Sequence, residues 1–326
     1  MYTYPLVCPN PKCKATGDDF YKKLGYFKTK HDHQPNPRYE CLRCQTEFSS
    51  HSDRANKGQK KPEMNAQVFK WVCSGVTINR IAKNLGIDKK TVVRKIAWLA
   101  QQAMRAHEEA ITSGRLKTSY VQFDEMETFE HTRLKPLSIA IAVRPKTGEI
   151  IDIEVSIMNA KGLIAKESRR KYGTRIDTRV AACTSVMHTV SRVAKKNITV
   201  ACDAKKNYPA IVKAVIPYAE LEVSANERKV RGKKKRDPLF AINNLCAQMR
   251  ADLAPLARKS FNTTKKPERL QDLLLVYMAY VNGYDICAGT NRVELHKKPA
   301  KPRKPPKVKV KTVDPPGSAV GAEKEV

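Results

Sequence analysis

The stretch Val121-Gln122-Phe123-Asp124-Glu125-Met126-Glu127-Thr128-Phe129 decides how the rest of the chain is read. Val121 and Phe123 alternate with Gln122 and Asp124, the period-two pattern of a strand with one buried face. The strand is expected to end by presenting the Asp124 carboxylate. A second apolar run covers residues 137–143, Pro145-Lys146-Thr147-Gly148 is a turn signal, and a third run returns over 149–157. An acidic strand followed by two hairpin-linked strands predicts a three-stranded meander. No cation adjoins Asp124 in sequence, and an aspartate in a central strand is costly unless it holds something positive.

Downstream, Val180, Cys183, Val186, Met187, Val190 and Val193 mark one face of an amphipathic helix expected over 176–195. A short buried strand, 198–202, follows and ends in Asp203. A helix between this strand and the meander makes a right-handed crossover onto the same sheet. If the crossover lays it beside the first strand, Asp124 and Asp203 become neighbours. Two adjacent carboxylates repel and call for a metal between them. A helix over 207–215, a short strand over 221–224, a helix over 239–256 and another over 270–280 complete the fold expected for this region. Asn243 and Arg250 lie seven apart, on one face of their helix.

The N-terminal region reads differently. Cys8 and Cys13 form one close pair, and Cys41 and Cys44 form another after a hairpin-length insert. Each pair lets one turn deliver two thiolates, which is the ligand pattern of a zinc ribbon. Four cysteines are the expected set, with His31 and His33 as possible substitutes, and Tyr39 and Phe48 are expected to pack beneath the metal. Such a site replaces a core too small to stand alone.

Between these regions lie three expected helices. The first begins at Asn65, the second is capped by Thr77, and the third follows Asp88, with Gly86 supplying a positive φ in the turn. This order reads as a helix-turn-helix. Lys89, Lys90, Thr91, Arg94 and Lys95 would face the major groove of double-stranded DNA and its phosphates. A connecting helix over 97–111 leads to the acidic strand.

The charge balance agrees with such a partner. The chain carries 62 Lys+Arg against 32 Asp+Glu, a net charge of +30 over 326 residues, which argues for a polyanion, most simply nucleic acid, with a membrane surface as the other candidate. No apolar run reaches about 18 residues and no export signal opens the chain, so no membrane span is expected. Nine cysteines without an export signal suit a reducing compartment, and a cytoplasmic, nucleoid-associated location is expected. Seven Lys/Arg fall within 228–236 and eight within 297–311. The first group reads as a backbone clamp, and the second as a Lys/Pro-rich disordered tether.

Four regions follow: a zinc ribbon over 1–50, a helix-turn-helix over 63–112, an α/β (α+β) catalytic domain over 117–290 and a tail over 297–326. In order and spacing this resembles the transposases of the insertion-sequence-one type and related zinc-ribbon insertion-sequence transposases. The residues that carry the resemblance are Cys8 to Phe48, Asp124-Glu125 with the strands after them, Asp203 with Tyr208, and 253–260. The resemblance implies a ribonuclease-H-like fold and an acidic triad using magnesium (or manganese) on DNA strands. It makes Asp124 the first carboxylate and Asp203 the second. The third position falls at Asn243, where the family commonly has Glu, with Glu125 and Glu127 as nearby alternatives. Arg250 matches a basic position that would hold a phosphate. The resemblance further implies binding of terminal inverted repeats, strand cleavage and transfer, and a homo-oligomer. Asn243 leaves open a catalytically inactive DNA-binding regulator, and an RNA-binding protein on the same scaffold is a third reading.

Overall fold

The computed structural model describes residues 8–17, 19–28, 35–49, 56, 59–224, 237–257 and 262–287. His31, His33, the basic cluster 228–236, Arg258-Lys259-Ser260 and the tail from 297 lie outside the described residues.

The N-terminal strands β1 (Tyr21–Phe27), β2 (Asn36–Cys41) and β3 (Glu47–Ser49) form a small antiparallel sheet. Its own core is minimal: Cys8, Ala15, Phe20, Tyr39, Cys41 and Phe48 are buried, and the Tyr39 and Phe48 rings lie 5.6 Å apart. So few apolar side chains cannot offset the entropy of ordering the segment without a crosslink or metal.

Three helices come next: α1 (Asn65–Val72), α2 (Ile78–Leu85) and α3 (Lys89–Thr112). Thr77 caps α2 by accepting from Arg80 N, and Asp88 caps α3 by accepting from Lys90 N at 2.7 Å. Gly86 ends α2 at φ 59°, a left-handed conformation that glycine adopts without strain. The expected third helix and the connector after it are one helix of 24 residues. Its buried stripe runs Val92, Lys95, Ile96, Leu99, Ala103, His107 and Ala110.

The second sheet has strands β4 (Thr118–Phe129), β5 (Pro136–Arg144), β6 (Glu149–Ile157), β7 (Ala194–Asp203) and β8 (Glu220–Ser224) in the order β6-β5-β4-β7-β8. β4, β5 and β6 are the expected antiparallel meander, while β7 and β8 run parallel to β4. The helices are α4 (Ala165–Tyr172), α5 (Arg179–Val193), α6 (Asn207–Val215), α7 (Phe240–Asp252) and α8 (Pro267–Val281). β5 is buried along 137–143, as a strand covered on both faces must be.

The outer edge of β6 is closed by side chains rather than by another strand. Gln271 accepts from Val155 N at 2.8 Å and donates to Ile153 O at 2.9 Å. Asn282 does the same for Ile150, accepting from its N–H and donating to its carbonyl, each at 2.8 Å. Both belong to the α8 region, so this helix satisfies an edge that would otherwise invite pairing.

Three local expectations are corrected. β4 does not end at Asp124 but continues to Phe129, paired with β5 throughout. α5 stops at Val193, and residues 194–197 extend β7, beginning with Ala194 opposite Thr118. The helix expected over 239–256 stops at Asp252, because Pro255 disfavours helix before it and a separate short turn follows.

Candidate functional site

The crossover sets β7 parallel against β4 with Phe123 opposite Cys202. The next residue on each strand is Asp124 and Asp203, so the two carboxylates stand side by side where β7 stops. Burial pushes the Asp124 carboxyl above the ordinary aspartate range, and the Asp203 charge adds to the rise. The Lys205 ammonium and the Glu125 N–H pull it back.

Lys205 is the cation that the sequence around Asp124 lacks. Its Nζ lies 3.6 Å from Asp124 Oδ1 and 3.4 Å from Glu125 Oε2, while its backbone N donates to Asp203 Oδ1 at 3.1 Å. Burial alone would lower its pKa. The charges of Asp124, Glu125 and Asp203 outweigh that and hold it above the ordinary lysine range. Tyr208, fully buried on α6, donates to Glu125 Oε2 at 3.1 Å and lies 3.4 Å from Asp124 Oδ1. Its hydroxyl stays protonated, because burial and then the Glu125 charge drive its pKa upward. Ser138 of β5 donates to the other Glu125 oxygen at 2.7 Å. Glu125 is thus tied down by three groups, Ser138, Tyr208 and Lys205.

The sequence pointed to Asp124, Asp203 and Tyr208 but missed Lys205 and underweighted Glu125. The signal for Lys205 was its place two residues after Asp203, just past the strand end. A close pair of carboxylates needs a counter-charge within reach of the same turn.

α7 approaches β4 from above the pair. Gln122 of β4 donates to Pro238 O at 2.7 Å and accepts from Ile242 N at 3.0 Å, which fixes the first turn of α7. Cys246, one turn further, has its thiol pushed up to about 11, first by burial and then by the Asp124 charge, with Arg250 opposing. Asn243 and Arg250 flank Cys246 on that helix. Asn243 is exposed, and its amide donates to Asp237 Oδ2 at 2.8 Å. The structure therefore brings Asp124, Asp203, Glu125, Lys205 and Tyr208 into one cluster and sets Asn243 beside Asp237.

The donor set suits a hard divalent cation in part. Asp124 and Asp203 offer carboxylate oxygens from adjacent positions on neighbouring strands, the hard donors that magnesium or manganese prefers. Among the described residues, however, no third acidic side chain converges with them as the cysteines converge with one another.

That second group is complete. The Sγ atoms of Cys8, Cys13, Cys41 and Cys44 all lie within 4.8 Å of one another, with Cys8 to Cys44 at 3.6 Å and Cys13 to Cys41 at 3.9 Å. A tetrahedron of sulfurs at the zinc–thiolate distance has edges of about 3.8 Å, so the four thiols have the spacing to bind zinc. Thr46 hydrogen-bonds the Cys44 sulfur and holds that thiol down at about 6, while burial pushes Cys8 up to about 12.

Of the residues expected on a DNA-reading face, Lys89, Lys90 and Arg94 are exposed and Thr91 is half-buried. Lys95 is a correction: it is 1% exposed, and its ammonium donates to Lys60 O, Lys61 O and Asn65 Oδ1 at 3.1, 2.7 and 2.8 Å. It sits three residues after Val92 on the apolar stripe of α3, so it turns inward and pins the preceding segment. Burial pushes it down to about 8.

Fold and site together define a chain with a mixed α/β sheet bearing a carboxylate pair, joined to a four-cysteine cluster fit for zinc. No helix among the described residues is long and apolar enough to cross a membrane. No family model matches the chain, and no curated protein matches it. Among solved structures it is similar to the "Mos1 transposase paired-end complex with left transposon end", at 8% identity over 72% of this chain and 80% of that one, with a TM-score of 0.21. At that score the likeness carries no weight for the site or its chemistry.

Proposed function

We propose that the protein is a DNA transposase of the zinc-ribbon insertion-sequence kind, with a ribonuclease-H-like catalytic domain over 117–290. One observation carries the reading: Asp124 and Asp203 occupy adjacent positions on parallel β4 and β7, in a sheet of order β6-β5-β4-β7-β8. The resemblance drawn from the sequence assigns catalysis to this pair. A bound magnesium or manganese would polarise the phosphate and lower the pKa of the attacking water or 3′-hydroxyl.

The chain's own residues have separable roles. Asp124 and Asp203 would hold the ion, with the Asn243 amide oxygen as a neutral third donor. Lys205 supplies the counter-charge to Asp124 and Glu125 without the ion and is placed to contact a phosphate when its carboxylate partners turn to the metal. Tyr208 and Ser138 fix Glu125, which in turn holds Lys205. Arg250 would hold a phosphate beside the site. Lys89, Lys90, Thr91 and Arg94 would bind double-stranded DNA of the terminal repeats, and the zinc-bound ribbon over 1–50 would add a second contact. Two ends must be held together, so a homo-oligomer is part of the reading.

A second reading, a DNA-binding regulator that has lost catalysis, is favoured by the missing third carboxylate. The test is strand cleavage and joining on a plasmid carrying the gene with its own flanking DNA, with and without magnesium. Asp203→Asn is expected to abolish metal-dependent cleavage while leaving DNA binding and zinc content unchanged. Full cleavage by this variant overturns the site. No cleavage by the unaltered protein, with repeat-specific binding intact, establishes the regulator in its place.

A further inference from the structure

The insert between β6 and α5 has no part in the site described so far, yet it carries the most exposed apolar residue among those described. Leu163 is 101% exposed, Ile164 beside it is exposed, and both sit in a short turn opened by Gly162 at φ 62°. An isolated leucine on a surface needs no explanation. This one stands at the tip of a mounted and strongly basic element. Lys161, Lys166, Arg169, Arg170 and Lys171 surround it against a single acid, Glu167, and all five cations are exposed.

The mounting is firm on both sides. Lys161 Nζ pairs with Glu127 of β4 at 3.2 Å. The buried Ser168 of α4 donates to Leu134 O at 2.6 Å. Arg175, after α4, donates to Pro136 O at 2.8 Å and pairs with Glu130. Between the tip and the end of β4 runs a groove of about 390 Å³ lined by Glu127, Thr128, Phe129, Arg133, Lys161 and Ile164, among others. Glu127 is three residues beyond Asp124 on the same strand, about 10 Å away.

We propose that the tip formed by Leu163 and Ile164, with the basic face of α4, is a DNA contact in which the apolar side chains wedge against an unpaired or unstacked base near the scissile phosphate. The inference rests on the transposase reading for its substrate. Its physical basis is separate: an apolar point framed by cations suits a polyanion whose bases have been opened, because the cations neutralise the backbone and the apolar group replaces a lost stacking partner. A second protein chain would bury the same leucine but, unless acidic, would gain nothing from the four exposed cations of α4, Lys166, Arg169, Arg170 and Lys171, Lys161 being paired with Glu127.

The test compares two fluorescent duplexes of one sequence, fully paired and forked, the fork carrying 2-aminopurine at its first unpaired position. Leu163→Ala should reduce the preference for the fork by about tenfold and quench the 2-aminopurine response, with affinity for the paired duplex unchanged. Leu163 touches no core, so the melting temperature should not move. Changing Lys166, Arg169 and Arg170 together to Ala should weaken both duplexes and lower the slope of log affinity against log salt by about 2 to 3. Equal fork preference in Leu163→Ala and the unaltered protein overturns the proposal, as does a change in oligomeric state on that substitution with DNA binding unaffected. The transposase reading fails on different evidence. Fork preference that depends on Leu163 in a protein with no metal-dependent cleavage keeps the wedge and removes the enzyme.

Discussion

Gln122→Leu tests the join between β4 and α7, on which the placement of Asn243 and Arg250 depends. α7 has no side-chain cap of its own: Leu239 at its N-cap offers no hydrogen bond. Gln122, reaching across from the sheet, accepts from Ile242 N in the first turn and donates to Pro238 O. Gln122 is 4% exposed and Ile242 is fully buried. Leucine keeps the volume but leaves the Ile242 N–H buried without a partner, at a cost of about 1–3 kcal/mol. Pro238 is exposed, so its carbonyl can turn to water and adds about 1 kcal/mol at most. A loss of about 2–3 kcal/mol corresponds to a fall in melting temperature of about 5–10 °C for a domain of this size. Gln122→Glu, read at acid pH where the buried carboxyl is protonated, can restore both bonds, accepting from Ile242 N and donating to Pro238 O without burying a charge. It should fall by less than half as much. Calorimetry gives the shift, and amide exchange gives the location, with Ile242 exchanging faster in the leucine variant. A leucine variant that melts within about 2 °C of the unaltered protein, with Ile242 equally protected, would refute the account.

Other outcomes follow from single contacts. Purified protein should carry about one zinc per chain, and Cys41→Ser should lose it together with the order of β1, β2 and β3; zinc kept in full by that variant sinks the four-cysteine site. Arg94→Ala should weaken binding to the gene's flanking repeats more than to random duplex, and equal weakening would reduce Arg94 to a phosphate contact. Lys95→Met should leave DNA affinity alone and change how stability varies with pH. Folding lowers Lys95 from 10.5 to about 8, so between those values the unfolded chain holds a proton that the folded one has shed, and the unaltered protein should gain stability relative to the variant as pH rises through that window. A constant difference in melting temperature across it would contradict the buried charge. Lys205→Met should destabilise the metal-free protein and enlarge the rise in melting temperature on adding magnesium, because ammonium and metal compete for one carboxylate pair; an unchanged magnesium response would separate Lys205 from the ion.

The meander and the crossover were legible because they depend on period-two apolar runs and on a handedness rule, both local to the chain. Together these suffice to bring Asp124 beside Asp203, although the carboxylates are 79 positions apart. The caps at Thr77 and Asp88 were legible for the same reason. What escaped depended on partners far away in sequence. Lys205 matters through its ion pairs with Asp124 and Glu125 on another strand, and Gln122 looks like an ordinary alternating polar residue until α7 is laid over it. Lys95 was misread because charge was given more weight than its place on the stripe that also contains Val92, Ile96 and Leu99. Asn243 was legible from the resemblance alone, which says nothing of its bond to Asp237.

α3 has a consequence for scale. Its 24 residues run unbroken from the exposed Lys89 and Lys90 to Thr112, six residues before β4 begins, and no hinge interrupts it. At 1.5 Å per residue it is a rod of about 36 Å, close to the rise of ten base pairs. It lies against α8, and the turn after α1 is tied to the end of α7, where the N–H of Gly75 donates to Asp252 O. The start of α3 shares a groove with Thr263, Thr264 and Arg269, and Thr264 bridges Glu130 just past the end of β4, so a duplex gripped at Lys89 would meet the sheet near that end, about 20 Å along the strand from Asp124.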